Sequence, residues 1–141
     1  MTLRLSHAFV TIDDADKALT FYRDVLGLEV RQDVPFDGSR WLTVGPAGQP
    51  DLQIGLLPPE MGRSEGDATA LKALMAKGVL SAVIFRCDDV DAEFARISAA
   101  GAEVLQEPID QPYGVRDCAF RDPAGNMIRF NQPSVNPPAW T

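Results

Sequence analysis

Residues 7–30 read HAFVTIDDADKALTFYRDVLGLEV, and this stretch decides the fold of the chain. Leu3, Leu5, His7 and Phe9 alternate with Arg4, Ser6, Ala8 and Val10, which is the period of a β-strand. The alternation places His7 on one face with Leu5 and Phe9, and that apolar company predicts a face turned inward. Asp13 or Asp14 offers an N-cap oxygen, and acids in a first turn complement the helix dipole. Ala15, Leu19 and Tyr22 recur at helical spacing on one face, which predicts a helix packed on a sheet. Gly27 stops the helix where left-handed backbone is needed. A second strand is predicted over residues 28–34.

Pro35-Phe36-Asp37-Gly38 then has turn chemistry. Residues 39–44 return as a strand carrying Trp41, Gly45-Pro46-Ala47-Gly48 turns again, and residues 51–57 close a β-α-β-β-β unit. Residues 58–65 are rich in proline, glycine and charge, the composition of a linker. Residues 67–77 predict a short helix, with Ala68, Leu71, Leu74 and Met75 apolar and Gly78 as its stop. A strand over residues 80–87 leads to a helix capped by Asp88 or Asp89, with Val90, Phe94 and Ile97 on its packed face and Gly101 as its stop. Strands over residues 102–106, 115–121 and 127–131 follow, separated by a loop at 108–114 and a turn at Asp122-Pro123-Ala124-Gly125. The tail PSVNPPAWT carries too many prolines for regular structure. Trp140 within it is either disordered or laid across a partner chain.

The second unit repeats the first. Asp13-Asp14-Ala15-Asp16 recurs as Asp88-Asp89-Val90-Asp91. The helix faces correspond residue by residue: Ala15 with Val90, Leu19 with Phe94, Tyr22 with Ile97. Pro46-Ala47-Gly48 recurs as Pro123-Ala124-Gly125. The predicted fold class is therefore α+β, with a βαβββ module over residues 1–57, a linker and short helix over 58–79, a second βαβββ module over 80–132 and a proline-rich tail over 133–141. His7 precedes Asp13 by the spacing at which Ala82 precedes Asp88. With one inserted residue allowed, Gln53 after Gly48 corresponds to Arg129 after Gly125. If the first and last strands of each module face a common groove, His7, Gln53, Ala82 and Arg129 line it.

Composition narrows the function. The hydrophobic fraction of 45% and charged fraction of 23% are ordinary for a water-soluble globular domain. A formal charge of −7 argues against nucleic acid and anionic membrane as partners, because phosphate binding needs clustered Lys and Arg. Cys87 and Cys118 lie in apolar runs without metal or redox spacing, as thiols of a reducing compartment do. No leader and no apolar run of membrane-spanning length is found, so a cytoplasmic location is expected. The acids at 13, 14, 16, 88, 89 and 91 sit at helix starts, where capping explains them better than a metal does. Neither a Walker pattern nor a dinucleotide fingerprint is present, and a single histidine on a strand leaves no Ser-His-Asp set.

With His7 ahead of Asp14, Ala18-Leu19-Thr20-Phe21-Tyr22, Val25-Leu26-Gly27-Leu28 and Asp122-Pro123-Ala124-Gly125-Asn126 in place, the chain resembles the vicinal oxygen chelate superfamily. Glyoxalase I, extradiol dioxygenases, fosfomycin-resistance enzymes and bleomycin-resistance proteins belong to it. Arg40-Trp41-Leu42-Thr43-Val44-Gly45-Pro46 and Gln111-Pro112-Tyr113-Gly114 look like a bacterial glyoxalase-like branch. The resemblance implies paired βαβββ modules, each a cupped half-barrel, and a homodimer. It implies metal ligands from the first and last strand of each module, commonly His or Gln, Glu, His and Glu. The matching residues are His7, Gln53, Ala82 and Arg129. His7 is a family-type ligand and Gln53 offers an amide oxygen, but Ala82 cannot ligate and Arg129 brings a permanent positive charge. The expectation is a small-molecule ligand bound without a cofactor in a groove lined by His7, Trp41, Gln53, Tyr113 and Arg129. Trp41 stands as core or as aromatic wall, and Arg129 as an ion-paired residue or an anion clamp. The alternative is a lyase, isomerase or dioxygenase that holds a divalent metal through His7 and Gln53 or uses His7 as a general base.

Overall fold

The computed structural model describes residues 2–133, so the expectations for the tail beyond Pro133, Trp140 included, lie outside the described residues. The elements run β1 (His7–Thr11), α1 (Ala15–Leu19), β2 (Glu29–Phe36), β3 (Ser39–Gly45), β4 (Gln53–Leu57), α2 (Glu65–Ala76), β5 (Ala82–Arg86), α3 (Val90–Ala99), β6 (Glu103–Asp110), β7 (Val115–Arg121) and β8 (Met127–Pro133). Helix α1 continues through Thr20–Val25 as a wider π turn. The strands form two four-stranded mixed sheets of the same order, β1-β4-β3-β2 and β5-β8-β7-β6. In each, the first strand runs parallel to the last and the remaining pairs are antiparallel. This is an α+β protein of two βαβββ modules. Among the described residues the chain forms two compact units, one of residues up to Ser81 with Pro123–Gly125, the other of Ala82–Asp122 with Asn126–Pro133.

Local chemistry sets the helix ends. Asp14 Oδ1 accepts from the Lys17 amide at 3.0 Å, Asp89 Oδ1 from the Ala92 amide at 3.1 Å and Ser64 Oγ from the Asp67 amide at 3.1 Å. A side-chain oxygen of this kind stabilises a helix start by about 1 kcal/mol. Ser64 moves the start of α2 upstream of the predicted residue 67. Gly27, Gly78 and Gly101 have φ of +86°, +71° and +95°, the left-handed stops expected of them. The repeat extends to ion pairs: Arg40 reaches Asp16 at 2.8 Å in the first module, and Arg116 reaches Asp91 at 2.9 Å in the second. Asp14 and Asp89 are thus caps and Asp16 and Asp91 ion-pair partners, and exposed pairs of this kind contribute at most about 1 kcal/mol.

The first core lies between α1, its π extension and one face of the sheet, and holds Ile12, Leu19, Tyr22, Leu42, Val44, Ile54 and Leu56. Tyr22 is fully buried and packs edge-on to Phe21 with ring centroids 5.0 Å apart. The second core holds Val90, Ile97, Cys118, Phe120, Ile128 and Phe130, with Phe94 stacked on Phe120 at 5.5 Å and Phe85 on Phe130 at 5.6 Å. Burial of each large apolar side chain contributes about 1.5–3 kcal/mol.

Strands β3 and β8 run one and two residues past their predicted ends, and β2 and β6 absorb prolines predicted to lie in turn or loop. β2 continues through Pro35 and Phe36, and the turn is Asp37-Gly38 alone, with φ of 50° and 72°. Two positive-φ residues make the tight hairpin turn whose twist matches the strands. β2 is an edge strand, so Pro35 leaves no ladder bond unmade. β6 likewise runs to Asp110 through Pro108, with register shifts after Val104 and Gln106, so only residues 111–114 form the loop.

Candidate functional site

The face of β1 that carries His7 is not the core face. Val10 and Ile12 point to the helix and are buried, whereas Phe9 is 55% exposed and His7 half-buried on the sheet's open side. Apolar residues occupy both parities of this strand, so alternation alone cannot say which side the helix covers. The register aligns His7 with Gln53, Phe9 with Gly55 and Thr43 with Gly55. Gly55 has no side chain, and the Phe9 ring lies across it: a Cβ built there meets Phe9 Cδ1 at 2.5 Å. Phe9 in turn meets Trp41 edge-on at 5.9 Å, Trp41 meets Phe36 at 5.8 Å, and His7 lies parallel to Phe9 at 6.3 Å. Trp41 is held by its Nε1–H, which donates to Gln32 Oε1 at 2.9 Å. The open face of the first sheet is thus a row of rings, with Phe9 and Phe36 each more than half exposed.

Polar groups on this face already have partners. Gln53 Oε1 accepts from the Thr43 hydroxyl at 2.7 Å, and His7 Nδ1 lies 3.0 Å from Ser6 Oγ.

The second sheet corrects the predicted correspondence of Gln53 with Arg129. Ala82 pairs with Met127 as His7 pairs with Gln53, and Ile84 pairs with Arg129 as Phe9 pairs with Gly55. The equivalents are therefore Gln53 with Met127 and Gly55 with Arg129. Counting from a turn fails here because the residues between the glycine and the strand differ in number and conformation. Gly125 has φ of +101°, and Gly48 lacks a positive φ.

The open side of the second sheet carries a polar network. Asp117 is 1% exposed. Its Oδ1 accepts from Gln106 Nε2 at 2.8 Å and Gln111 Nε2 at 2.9 Å. Its Oδ2 accepts from Arg129 Nη1 at 2.9 Å, with the Tyr113 hydroxyl at a long 3.5 Å. Arg129 Nη1 also donates to Gln106 Oε1 at 2.9 Å. Burial works to raise the Asp117 carboxyl, but the Gln106 and Gln111 donors and the Arg129 charge outweigh it and hold it below the usual carboxylate range. Of the two alternatives for Arg129, the ion pair is what the geometry contains.

His7, Gln53 and Trp41 thus share the open face of the first sheet, and Tyr113 and Arg129 share one network in the second module. Ala82 is exposed on the edge strand β5. Sequence reading missed Asp117, Gln106, Gln111 and the covering role of Phe9. The signal for Asp117 was its place as the lone acid of β7, next to Cys118-Ala119-Phe120. Burial pushes the Cys118 thiol up to about 12 and also raises Cys87, which disfavours the thiolate at both. Among the described residues no cluster of three or more His, Cys, Asp or Glu is placed to hold a metal ion, and no helix is long and apolar enough to cross a membrane.

The family model described as Glyoxalase/Bleomycin resistance protein/Dioxygenase superfamily matches residues 4–130. YurT, an uncharacterized protein of Bacillus subtilis (strain 168), is 31% identical over 87% of this chain and 94% of its own. The crystal structure of UcmS2 superposes with a TM-score of 0.84 at 34% identity, covering 93% of this chain and 98% of that one. TnmS3, an antibiotic binding protein from Streptomyces sp. CB03234, superposes with a TM-score of 0.75 at 32% identity, covering 94% and 98%.

Proposed function

This chain belongs to the Glyoxalase/Bleomycin resistance protein/Dioxygenase superfamily, and from that premise we propose that it binds a flat organic molecule on the aromatic open face of its first sheet, without a metal centre. The observation that carries this reading is the row His7, Phe9, Trp41 and Phe36. Rings already in edge contact with one another lose little conformational entropy on binding and present faces on which a planar ligand stacks. The likeness to an antibiotic binding protein supports a binding role over catalysis.

The donor chemistry supports the metal-free part. Divalent cations held by imidazole and carboxylate need three or more protein ligands. Of the four positions that the superfamily's motifs mark, His7 alone carries a strong donor. Gln53 spends its amide oxygen on Thr43. Register replaces Gln53 by Gly55 as the counterpart of Arg129, and a glycine under the Phe9 ring donates nothing. Ala82 has no donor atom, and Arg129 brings a cation where a cation would bind. These residues do not fit a divalent metal ion.

The test is titration calorimetry with a panel of planar aromatic compounds against the wild type and Trp41→Ala. Binding to the wild type is expected, weakened about tenfold or more in the variant, as for a central aromatic anchor. Failure of every compound to bind, or undiminished binding by Trp41→Ala, would refute the reading.

A further inference from the structure

We propose that the Arg129–Asp117 pair on the open face of the second sheet is a charge-neutral donor site, which selects ligands presenting an uncharged carbonyl oxygen and discriminates against carboxylates and ammonium groups. The inference rests on the reading that the chain holds a small organic molecule, and it concerns the second sheet by itself.

The argument follows from counting donors and acceptors. Arg129 has five N–H donors in a rigid fork. Both hydrogens of Nη1 are used, one toward Gln106 Oε1 and one toward Asp117 Oδ2, each at 2.9 Å. Nη2 has Met127 Sδ at 3.6 Å, a weak acceptor. Neither Nη2 nor Nε meets an oxygen among the described residues. The side chain is 19% exposed, and Nη1 is the nitrogen already enclosed by Gln106 and Asp117.

Asp117 has the opposite character. Both its oxygens are occupied by Gln106, Gln111, Tyr113 and Arg129, and the side chain is 1% exposed. It has no acceptor capacity left for a ligand, but its charge remains and cancels that of Arg129. What faces outward is therefore hydrogen-bond donors with no net charge behind them.

Three ligand groups fare differently there. A carbonyl oxygen loses little hydration and gains a charge-assisted hydrogen bond. A carboxylate must shed far more hydration, and the Asp117 charge close behind the guanidinium opposes the attraction that would offset that loss. An ammonium finds no acceptor. A ketone or amide oxygen is the group that matches.

Three probes on one ring system test this: naphthyl methyl ketone, naphthoate and naphthylmethylammonium, titrated calorimetrically at neutral pH. In the wild type the ketone should bind most tightly, by about tenfold over naphthoate, and added salt should leave the naphthoate affinity nearly unchanged. Asp117→Asn frees the Arg129 charge, so naphthoate should gain about tenfold and become strongly salt-sensitive. Arg129→Met should weaken the ketone about tenfold and abolish the ranking. If naphthoate equals or exceeds the ketone in the wild type, or falls steeply with salt there, the proposal is overturned, whether or not Asp117→Asn folds. An unchanged ranking in folded Asp117→Asn or Arg129→Met overturns it as well. A wild type that binds no probe at all refutes the underlying reading and removes this proposal with it.

Discussion

Asp117→Ala should destabilise the protein by about 3–5 kcal/mol, the cost of breaking a buried ion pair from one side. The carboxylate is 1% exposed and receives hydrogen bonds from Gln106, Gln111 and Arg129. Its removal strands a guanidinium that is only 19% exposed and leaves two amide donors short of an acceptor. At this chain length such a loss lowers the melting temperature by roughly 10 °C. The double variant Asp117→Ala/Arg129→Met should recover much of it, because removing both charges leaves none uncompensated. The pH dependence has a fixed sign. The Asp117 carboxyl is held below its ordinary value: burial opposes this, but the amide donors and the Arg129 charge prevail. Its stabilising contribution is thus complete above the unfolded value of about 3.9 and is lost as pH falls below that. The gap between wild type and Asp117→Ala should therefore narrow in acid. Thermal melts across a pH series measure both effects, and a loss under about 1 kcal/mol at neutral pH would show that the network contributes no more than a surface pair.

Gly125→Ala should cost about 2–5 kcal/mol, from two separate penalties. Gly125 has φ of +101°, where a side chain strains the backbone, and its Cβ would stand 2.7 Å from the Met75 carbonyl oxygen. That oxygen is backbone at the end of α2 and accepts from the Gly78 amide at 2.9 Å, so it cannot swing aside as a side chain would. The turn is held on its other side by Asp122, whose carboxylate accepts from the Asn126 amide at 2.8 Å and Asn126 Nδ2 at 2.9 Å. Gly48, its counterpart in the sequence repeat, lacks both features: no positive φ, and nothing within 4 Å of a built Cβ. Gly48→Ala should accordingly be neutral or slightly stabilising. Chemical denaturation of the two variants side by side separates the cases, and equal midpoints would contradict the account.

That contrast between Gly48 and Gly125 also shows what a sequence discloses and what it withholds. Helix caps and stops were legible because each is a local event: an aspartate oxygen reaching an amide three residues on, a glycine supplying positive φ. The module order was legible from the repeat of Asp13-Asp14-Ala15-Asp16 and its neighbours. The orientation of β1 was not, because Leu5, His7 and Phe9 on one side and Val10 and Ile12 on the other are nearly as apolar as each other. The match of Gln53 with Arg129 failed by two positions, since ladder register is set by hydrogen bonding across strands and not by counting from a turn. The Asp117 network was hidden for a related reason. Its members come from β6, the following loop, β7 and β8, and no spacing along the chain joins them. Residues of the site such as His7, Trp41 and Gln53 could be named from sequence, but their partners Phe9, Gln32 and Thr43 required the sheet.

Metal analysis of protein purified without chelator tests the central claim most directly. The account predicts far less than one equivalent of any divalent cation, and a content unchanged by His7→Ala. A full equivalent of cation in the wild type, lost on that single substitution, would contradict it and return His7 to the role of a metal ligand.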